Sequence, residues 1–359
     1  MKNPIERLQE TLLQGDSTKA ALVFTEKNRR YFTHFPATDG ALFVTPDAAY
    51  LLMDFRYEEA ARYKAEFCQV VGFSRMGETL QELAKKHGTK TVYLEIDQMT
   101  VSWARRFEEM FKAAGAKVVL DDSLDAVIRR QRMIKSPEEV KKLEASQAIT
   151  DAAFQHILPF IKEGVTERDL ALEIEFFMRH QGAEAVAFEL IVAAGKNGSQ
   201  CHAVPSDNQV RRGDFITMDT GALLDGYHSD MTRTVALGHV SDEQRVVYET
   251  VLKAQMAVID AARPGVKCSE MDKLARDIIE KDYPGTFGHG LGHGVGFEIH
   301  EWPRFSYADH TITEAGMVIT DEPGIYLEGK FGVRIEDMIL ITEDGCRSLT
   351  KSPKELIEL

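Results

Sequence analysis

GDFITMDTGALLDGYHSDMTRTVALG, residues 213–238, sets two apolar, strand-like runs on either side of Asp225-Gly226. An Asp-Gly pair between such runs is a strong local signal for a tight hairpin. Asp219 lies six residues before Asp225 and Asp230 four after Gly226, a near-symmetric placement about that turn. They therefore read as near cross-strand partners, with Cβ atoms ~5 Å apart on one face. Two carboxylates at that spacing repel and raise one pKa unless a cation lies between them. For one hairpin alone, an ion pair of Asp219 with a basic residue such as Arg233 is the simpler account. The chain repeats the arrangement, however. MVITDEPGIYLEGKFGVRIEDMILIT (317–342) has two apolar strands around Glu328-Gly329-Lys330, and Glu322 and Glu336 are equidistant from Gly329. Buried carboxylates need partners, and only Arg334 and Arg233 are evident cations for all four.

Between the hairpins lies FGHGLGHGVGFEIHEWPRF (287–305), with His289, His293 and His300 among five glycines at 288–296. Any one of these histidines is explained as a satisfied core or turn residue. Three within twelve positions, beside four paired acids, point to a metal ligand together with acid–base groups. The zincin signature is excluded, because His300-Glu301 has no second histidine four residues on. Hard oxygen ligands with one imidazole suit Mn²⁺, Co²⁺ or Zn²⁺. Bridging carboxylates typically hold two such ions ~3.5–4 Å apart for hydrolysis at neutral pH.

Working outward, residues 1–122 alternate short apolar runs with helical patterns. Strands are expected at 20–24, 41–46, 49–55, 69–73 and 90–96, and helices at 56–66 and 77–88. No Gly-rich phosphate loop occurs there, so this α/β domain receives no chemistry. A charge-rich linker, 123–135, leads to Ser136-Pro137 with Glu139, which form a capping box and open a long helix running to about Ile161. Further on, Gly164-Val165 precedes a helix with Asp169-Leu170-Ala171, and Gly265-Val266 precedes one with Lys273-Leu274-Ala275. Two related halves explain this echo, as does chance.

Acidic residues outnumber basic ones by 57 to 43, a formal charge of −14. Nucleic acid and anionic membrane are thereby disfavoured as partners, since both need clustered Lys and Arg. Cys68, Cys201, Cys268 and Cys346 form no CxxC pair and fit a reducing, cytoplasmic setting. The N-terminal stretch lacks the apolar core of a signal peptide, and no run reaches the ~18 apolar residues that span a bilayer.

HGLGHGVGFEIHEWP, DTGALLDGYHSDMTRT and DEPGIY…GVRIED resemble the motifs of the creatinase-fold metallopeptidases, which include prolidases, proline aminopeptidases and methionine aminopeptidases. The resemblance covers nearly the whole chain. It implies an α+β protein in which a creatinase-type N-terminal α/β domain (1–122) precedes a pita-bread catalytic domain (136–359), whose pseudo-twofold symmetry would account for the echo. By the same resemblance, two divalent ions per subunit, Mn²⁺ or Co²⁺ with Zn²⁺ also possible, would be held by five residues. Asp219 and His293 would be terminal ligands. Asp230 and Glu336 would bridge. Glu322 would be both a ligand and the general base on the attacking water. His202 and His300 would contact the scissile carbonyl region, and His289 would line the pocket. Arg334 and Thr232 would support the ligands from behind. Arg304 matches an arginine that grips a substrate's C-terminal carboxylate, which favours Xaa-Pro dipeptides, and a homodimer is implied.

Three features depart from the family pattern. Cys201 stands where proline commonly precedes the histidine. Asp321 replaces an apolar residue before Glu322 and needs a partner on the opposite face. The Asp-Pro-His-Glu-Arg loop of some bacterial prolidases is absent, the chain reading HFPATDGALF at 34–43. An Xaa-Pro aminopeptidase acting on longer peptides therefore stays open. Methionine aminopeptidases normally lack the first domain, and creatinase lacks the full ligand set. Peptide-binding modules of this fold that have lost their metals usually lose several ligands, whereas all five positions are acidic or histidine here.

Overall fold

A computed structural model describes residues 2–359, which divide into a unit ending at Arg132 and one beginning at Met133. The first unit carries helices α1 (Pro4–Leu8), α2 (Glu26–Thr33), α3 (Glu58–Lys64), α4 (Met76–Lys86), α5 (Val101–Ala113) and α6 (Ser123–Met133). Its strands are β1 (Lys19–Val23), β2 (Ala41–Val44), β3 (Ala49–Met53), β4 (Gln69–Gly72), β5 (Thr91–Leu94) and β6 (Lys117–Val119). They form one mixed sheet in the order β4-β3-β2-β1-β5-β6. Leu22, Phe43, Leu52, Phe107 and Phe111 fill its core. The five strands and two helices read from periodicity are all present, while α1, α2, α5, α6 and β6 were not foreseen. The charge-rich connection read at 123–135 is helical through Met133, with Leu124 and Ile128 buried on one side of α6.

The second unit opens with α7 (Pro137–Ile157), and a 3₁₀ turn at Leu158–Phe160 follows. Its start is the expected capping box: the Glu139 N–H donates to Ser136 Oγ at 3.2 Å, and the Ser136 N–H donates to Glu139 Oε2 at 2.9 Å. Then come α8 (Glu167–His180), β7 (Ala185–Val186), β8 (Ile191–Ala194), β9 (Phe215–Thr220), β10 (Ala222–Leu224), β11 (Tyr227–His228) and β12 (Met231–Ala236). The second half repeats the plan with α9 (Asp242–Ala261), α10 (Cys268–Glu280), β13 (Gly292–Gly294), β14 (Glu301–Phe305), β15 (Val318–Asp321), β16 (Gly324–Leu327), β17 (Phe331–Arg334), β18 (Asp337–Ile341) and β19 (Cys346–Ser348).

The sequence echo is a structural repeat. Gly164 and Gly265 both have φ +88°. The Gly164 N–H donates to the Val210 carbonyl at 2.9 Å, and the Gly265 N–H donates to that of Thr313 at 2.8 Å. Each half has its own apolar core: Phe154, Leu170, Ile174, Ile216 and Val235 in the first, Val251, Met271, Ile319, Val333 and Ile339 in the second.

Each hairpin is broken midway so that its base and its tip join different sheets. In the first, β9 and β12 pair in a sheet with β8, while β10 and β11 pair in a sheet with β7. The break is at Gly221, where an added Cβ would lie 2.1 Å from the Ser229 carbonyl oxygen; only glycine permits that approach. In the second, β15 and β18 belong to a five-stranded sheet, and β16 and β17 form a separate ribbon. Among the described residues no helix is long and apolar enough to cross a membrane.

Candidate metal centre

The acids sit at these breaks. At Asp225-Gly226 both residues have positive φ, 50° and 82°, as a two-residue hairpin turn requires. That turn sets Asp219 opposite Thr232 and Thr220 opposite Met231. Asp219 and Asp230 are therefore diagonal neighbours on one face, two places out of register, rather than the opposed pair expected from the sequence. In the second hairpin Asp321 pairs with Asp337 and Gly324 with Arg334, so Glu322 and Glu336 face one another across the break. There the mirror symmetry holds.

His293 is buried on β13, with its backbone N–H donating to Thr320 Oγ1 at 3.0 Å. Its Nδ1 lies 3.1 Å from the Gly294 carbonyl oxygen, so this nitrogen carries the proton. Nε2 is left as a lone pair, 3.5 Å from both Asp230 Oδ2 and Glu322 Oε1. Burial, then the nearby charge of His300, lowers the imidazole pKa to about 3, so protonation does not relieve the clash. Ligand atoms of Asp230, His293 and Glu336 lie within 4.8 Å of one another. Burial foremost, then the charges of neighbouring acids, raises Asp230 and Glu336. Burial pushes Glu322 to about 8 against the opposing pull of Arg334. A lone pair and acid oxygens converging on one gap suit a divalent cation.

Asp219 borders the same gap. Its Oδ2 accepts from Arg334 Nη2 at 2.7 Å, while Oδ1 is buried without a hydrogen-bond partner among the described residues. Arg334 Nε donates to Thr232 Oγ1 at 3.0 Å, and that hydroxyl donates to Glu336 Oε2 at 2.7 Å. Asp219, Arg334, Thr232 and Glu336 thus form one hydrogen-bonded chain behind the gap. Arg233, the other cation weighed for Asp219, points to the reverse face. Its guanidinium binds Asp337 Oδ1 at 2.8 Å and the carbonyls of Thr232, Glu336, Ser352 and Pro353. Asp321 shares that face but finds no partner for either oxygen among the described residues. Burial and the charge of Asp337 raise its pKa well above the usual range, and a neutral carboxyl needs no cation.

The gap opens into a cavity of about 990 Å³ lined by His202, His289, His293, His300, Arg304 and Glu322 among others. The His300 ring lies edge-on to His293, centroids 4.4 Å apart. Burial, then Arg304, lowers the His300 pKa. Arg304 sits opposite His293 on β14, and its guanidinium has no partner among the described residues. His289 is held at both nitrogens, Nδ1 by the Gly290 carbonyl at 2.8 Å and Nε2 by the Tyr326 hydroxyl at 2.9 Å. Tyr326 also accepts from Arg334 Nη1 at 2.9 Å, so its own proton points to His289. Sequence reasoning gave Tyr326 no role. It stands within the quoted DEPGIY motif, and its place on the inward face of β16 is the signal that was available.

The metallopeptidase family M24 profile matches residues 141–343, and the creatinase/prolidase N-terminal domain profile matches residues 4–134. The Xaa-Pro dipeptidase of Pyrococcus furiosus is 40% identical over 356 residues, 98% of this chain and 99% of that protein. Among solved structures, the Xaa-Pro dipeptidase from Bacillus anthracis superposes with TM-score 0.92 at 39% identity, covering 99% of both chains. The X-Pro aminopeptidase from Thermotoga maritima MSB8 gives 0.92 at 34% identity, covering 100% of both. A divalent-metal peptidase is the class that fold and site define. The chain belongs to metallopeptidase family M24, with a creatinase-type N-terminal domain ahead of the pita-bread catalytic domain.

Proposed function

We propose that this chain hydrolyses the bond between a residue and a following proline, with Xaa-Pro dipeptides as substrates. The observation that carries the reading is the gap where the His293 lone pair meets Asp230 and Glu322 oxygens at 3.5 Å with no side-chain cation between them among the described residues. Asp219, Asp230, His293, Glu322 and Glu336 would hold two divalent ions there, Mn²⁺ or Co²⁺. Such ions supply Lewis-acid polarisation of a carbonyl and a more acidic water.

The remaining work falls to the chain. Glu322 takes the proton of the attacking water. His202 and His300 face the scissile carbonyl from the cavity wall and stabilise charge as it develops on the carbonyl oxygen. Arg334 and Thr232 keep the acids oriented. The Xaa-Pro bond offers no N–H, so strand-like substrate binding fails and other contacts must fix the peptide. Arg304, whose guanidinium has no hydrogen-bond or ion-pair partner among the described residues, takes the substrate's C-terminal carboxylate. Similarity to Xaa-Pro dipeptidases at about 40% identity supports the choice of bond. By the family resemblance the working unit is a homodimer, and the free thiols of four cysteines fit the cytoplasm.

A second reading, Xaa-Pro aminopeptidase, is favoured by the cavity's extent. It runs on to Leu172, Glu175 and Arg179 along α8, and about 990 Å³ is at the upper end of the ~300–1,000 Å³ usual for ligand sites. Hydrolysis of Ala-Pro beside Ala-Pro-Ala separates the two. Cleavage of the dipeptide alone fits the proposal, cleavage of the tripeptide moves the assignment to aminopeptidase, and silence on both removes proline specificity.

A further inference from the structure

Glu167 is the first residue of α8, directly after the Thr166 N-cap, and it is fully buried. No lysine, arginine or histidine reaches its carboxylate among the described residues. Donors of other kinds do. Oε1 accepts from the Ala194 N–H at 2.8 Å, and from Asn197 Nδ2 and Asn208 Nδ2, each at 3.0 Å. Oε2 accepts from the Ser206 hydroxyl at 2.7 Å and the Ser206 N–H at 3.1 Å. Each of these hydrogen-bonding groups is a donor, and the positive end of α8 adds to their field. Burying a carboxylate without such partners costs several kcal/mol, so this site is built to hold one.

What Glu167 ties together are the two ends of one loop. Ala194 and Asn197 precede it, and Ser206 and Asn208 close it. Between them Cys201–Pro205 line the cavity, and the imidazole of His202 has no partner of its own among the described residues. The second half uses a related device. Asp272 on α10 accepts from the Leu291 N–H at 3.0 Å and pairs with Arg276, which donates to the carbonyls of Phe287 and His289. There too a buried acid near the start of the shorter helix fixes the histidine-bearing loop.

We propose that Glu167 is a positioning residue for His202: its carboxylate closes the 194–208 loop and thereby sets where that imidazole meets the substrate. The proposal rests on the reading of His202 given above. Glu167→Gln keeps the size but turns an amide NH₂ toward donors. Misplacement by ~1 Å can cost on the order of 10²-fold in rate, so a partial shift of the loop is expected to lower kcat/KM on Ala-Pro about tenfold.

The test is a double-mutant cycle of Glu167→Gln with His202→Ala, measured on the metal-loaded enzyme with bound metal counted for each variant. Expected are unchanged metal content in Glu167→Gln and a double variant no slower than His202→Ala within about twofold. Losses that multiply, or an inert His202→Ala, would overturn the proposal. If Glu167→Gln does not fold, Ser206→Ala enters the same cycle and should show a smaller loss that vanishes in the His202→Ala background. Hydrogen exchange reads the loop directly, with faster exchange expected at 195–208 and none added at 287–295. Should the parent enzyme leave Ala-Pro intact, the dipeptidase reading fails, and unchanged exchange at 195–208 would still sink the role given to Glu167.

Discussion

The two halves of the catalytic unit share one plan of two helices and a broken hairpin, but they present their functional groups differently. In the second half the acids are opposed in register, His293 is buried, and the loop before it is fixed by the Asp272–Arg276 ion pair. In the first half the acids are two places out of register, and His202 stands exposed on a loop whose ends Glu167 ties and whose Cys201 carbonyl accepts from Arg334 Nη1 at 3.1 Å. The difference separates two demands. A metal ligand must have its lone pair fixed, and burial does that. A group that meets an incoming peptide must stay reachable, so its loop is tied through the ends and the Cys201 backbone while the imidazole is left open.

Substitution of the acids that close the gap should cost most. Glu336→Gln, or Asp230→Asn beside it, is expected to keep the fold while removing at least one bound metal and nearly all activity, read by metal analysis and Ala-Pro hydrolysis. Full activity in either variant would break the two-metal account. Next comes the link between halves. Arg334→Met leaves Asp219 buried without its cation, and losing one partner of a buried pair costs ~3–5 kcal/mol. Denaturant unfolding of the metal-free protein checks this. A loss under about 1 kcal/mol would mean that Arg334 acts only on bound ligands.

Arg304→Ala tests the open side of the cavity. It should weaken Ala-Pro cleavage about tenfold, ~1.4 kcal/mol, and spare Ala-Pro-Ala; equal losses would deny it the carboxylate. Smallest is the first hairpin's turn. Asp225→Val places a β-branched residue at φ 50° and should cost ~1–3 kcal/mol of local strain, visible in thermal unfolding with little change in kcat.

The turn and the capping box were legible because each depends on a few adjacent residues. Asp225-Gly226 gave the hairpin, and Ser136 with Glu139 gave the start of α7. The opposition of Glu322 and Glu336 was legible for the same reason, since a three-residue loop centred on Gly329 fixes their register. Asp219 and Asp230 were misplaced by counting, because the tight turn sets Asp219 against Thr232. The breaks at Gly221 and Pro323 were hidden, as strand periodicity continues through them while the partner strands change. Arg233 could not be separated from Arg334 by type. Only the strand faces send one to Asp337 and the other to Asp219. Glu167 was invisible as a carboxylate without a cation, since its donors come from positions 194–208.

Metal dependence of Ala-Pro hydrolysis tests the central claim most directly. The protein is stripped with a chelator and titrated with Mn²⁺. Activity lost on stripping and regained up to two equivalents per chain is the predicted result. Activity that survives stripping, or a stripped chain that binds Mn²⁺ at the site yet leaves Ala-Pro intact, would contradict it.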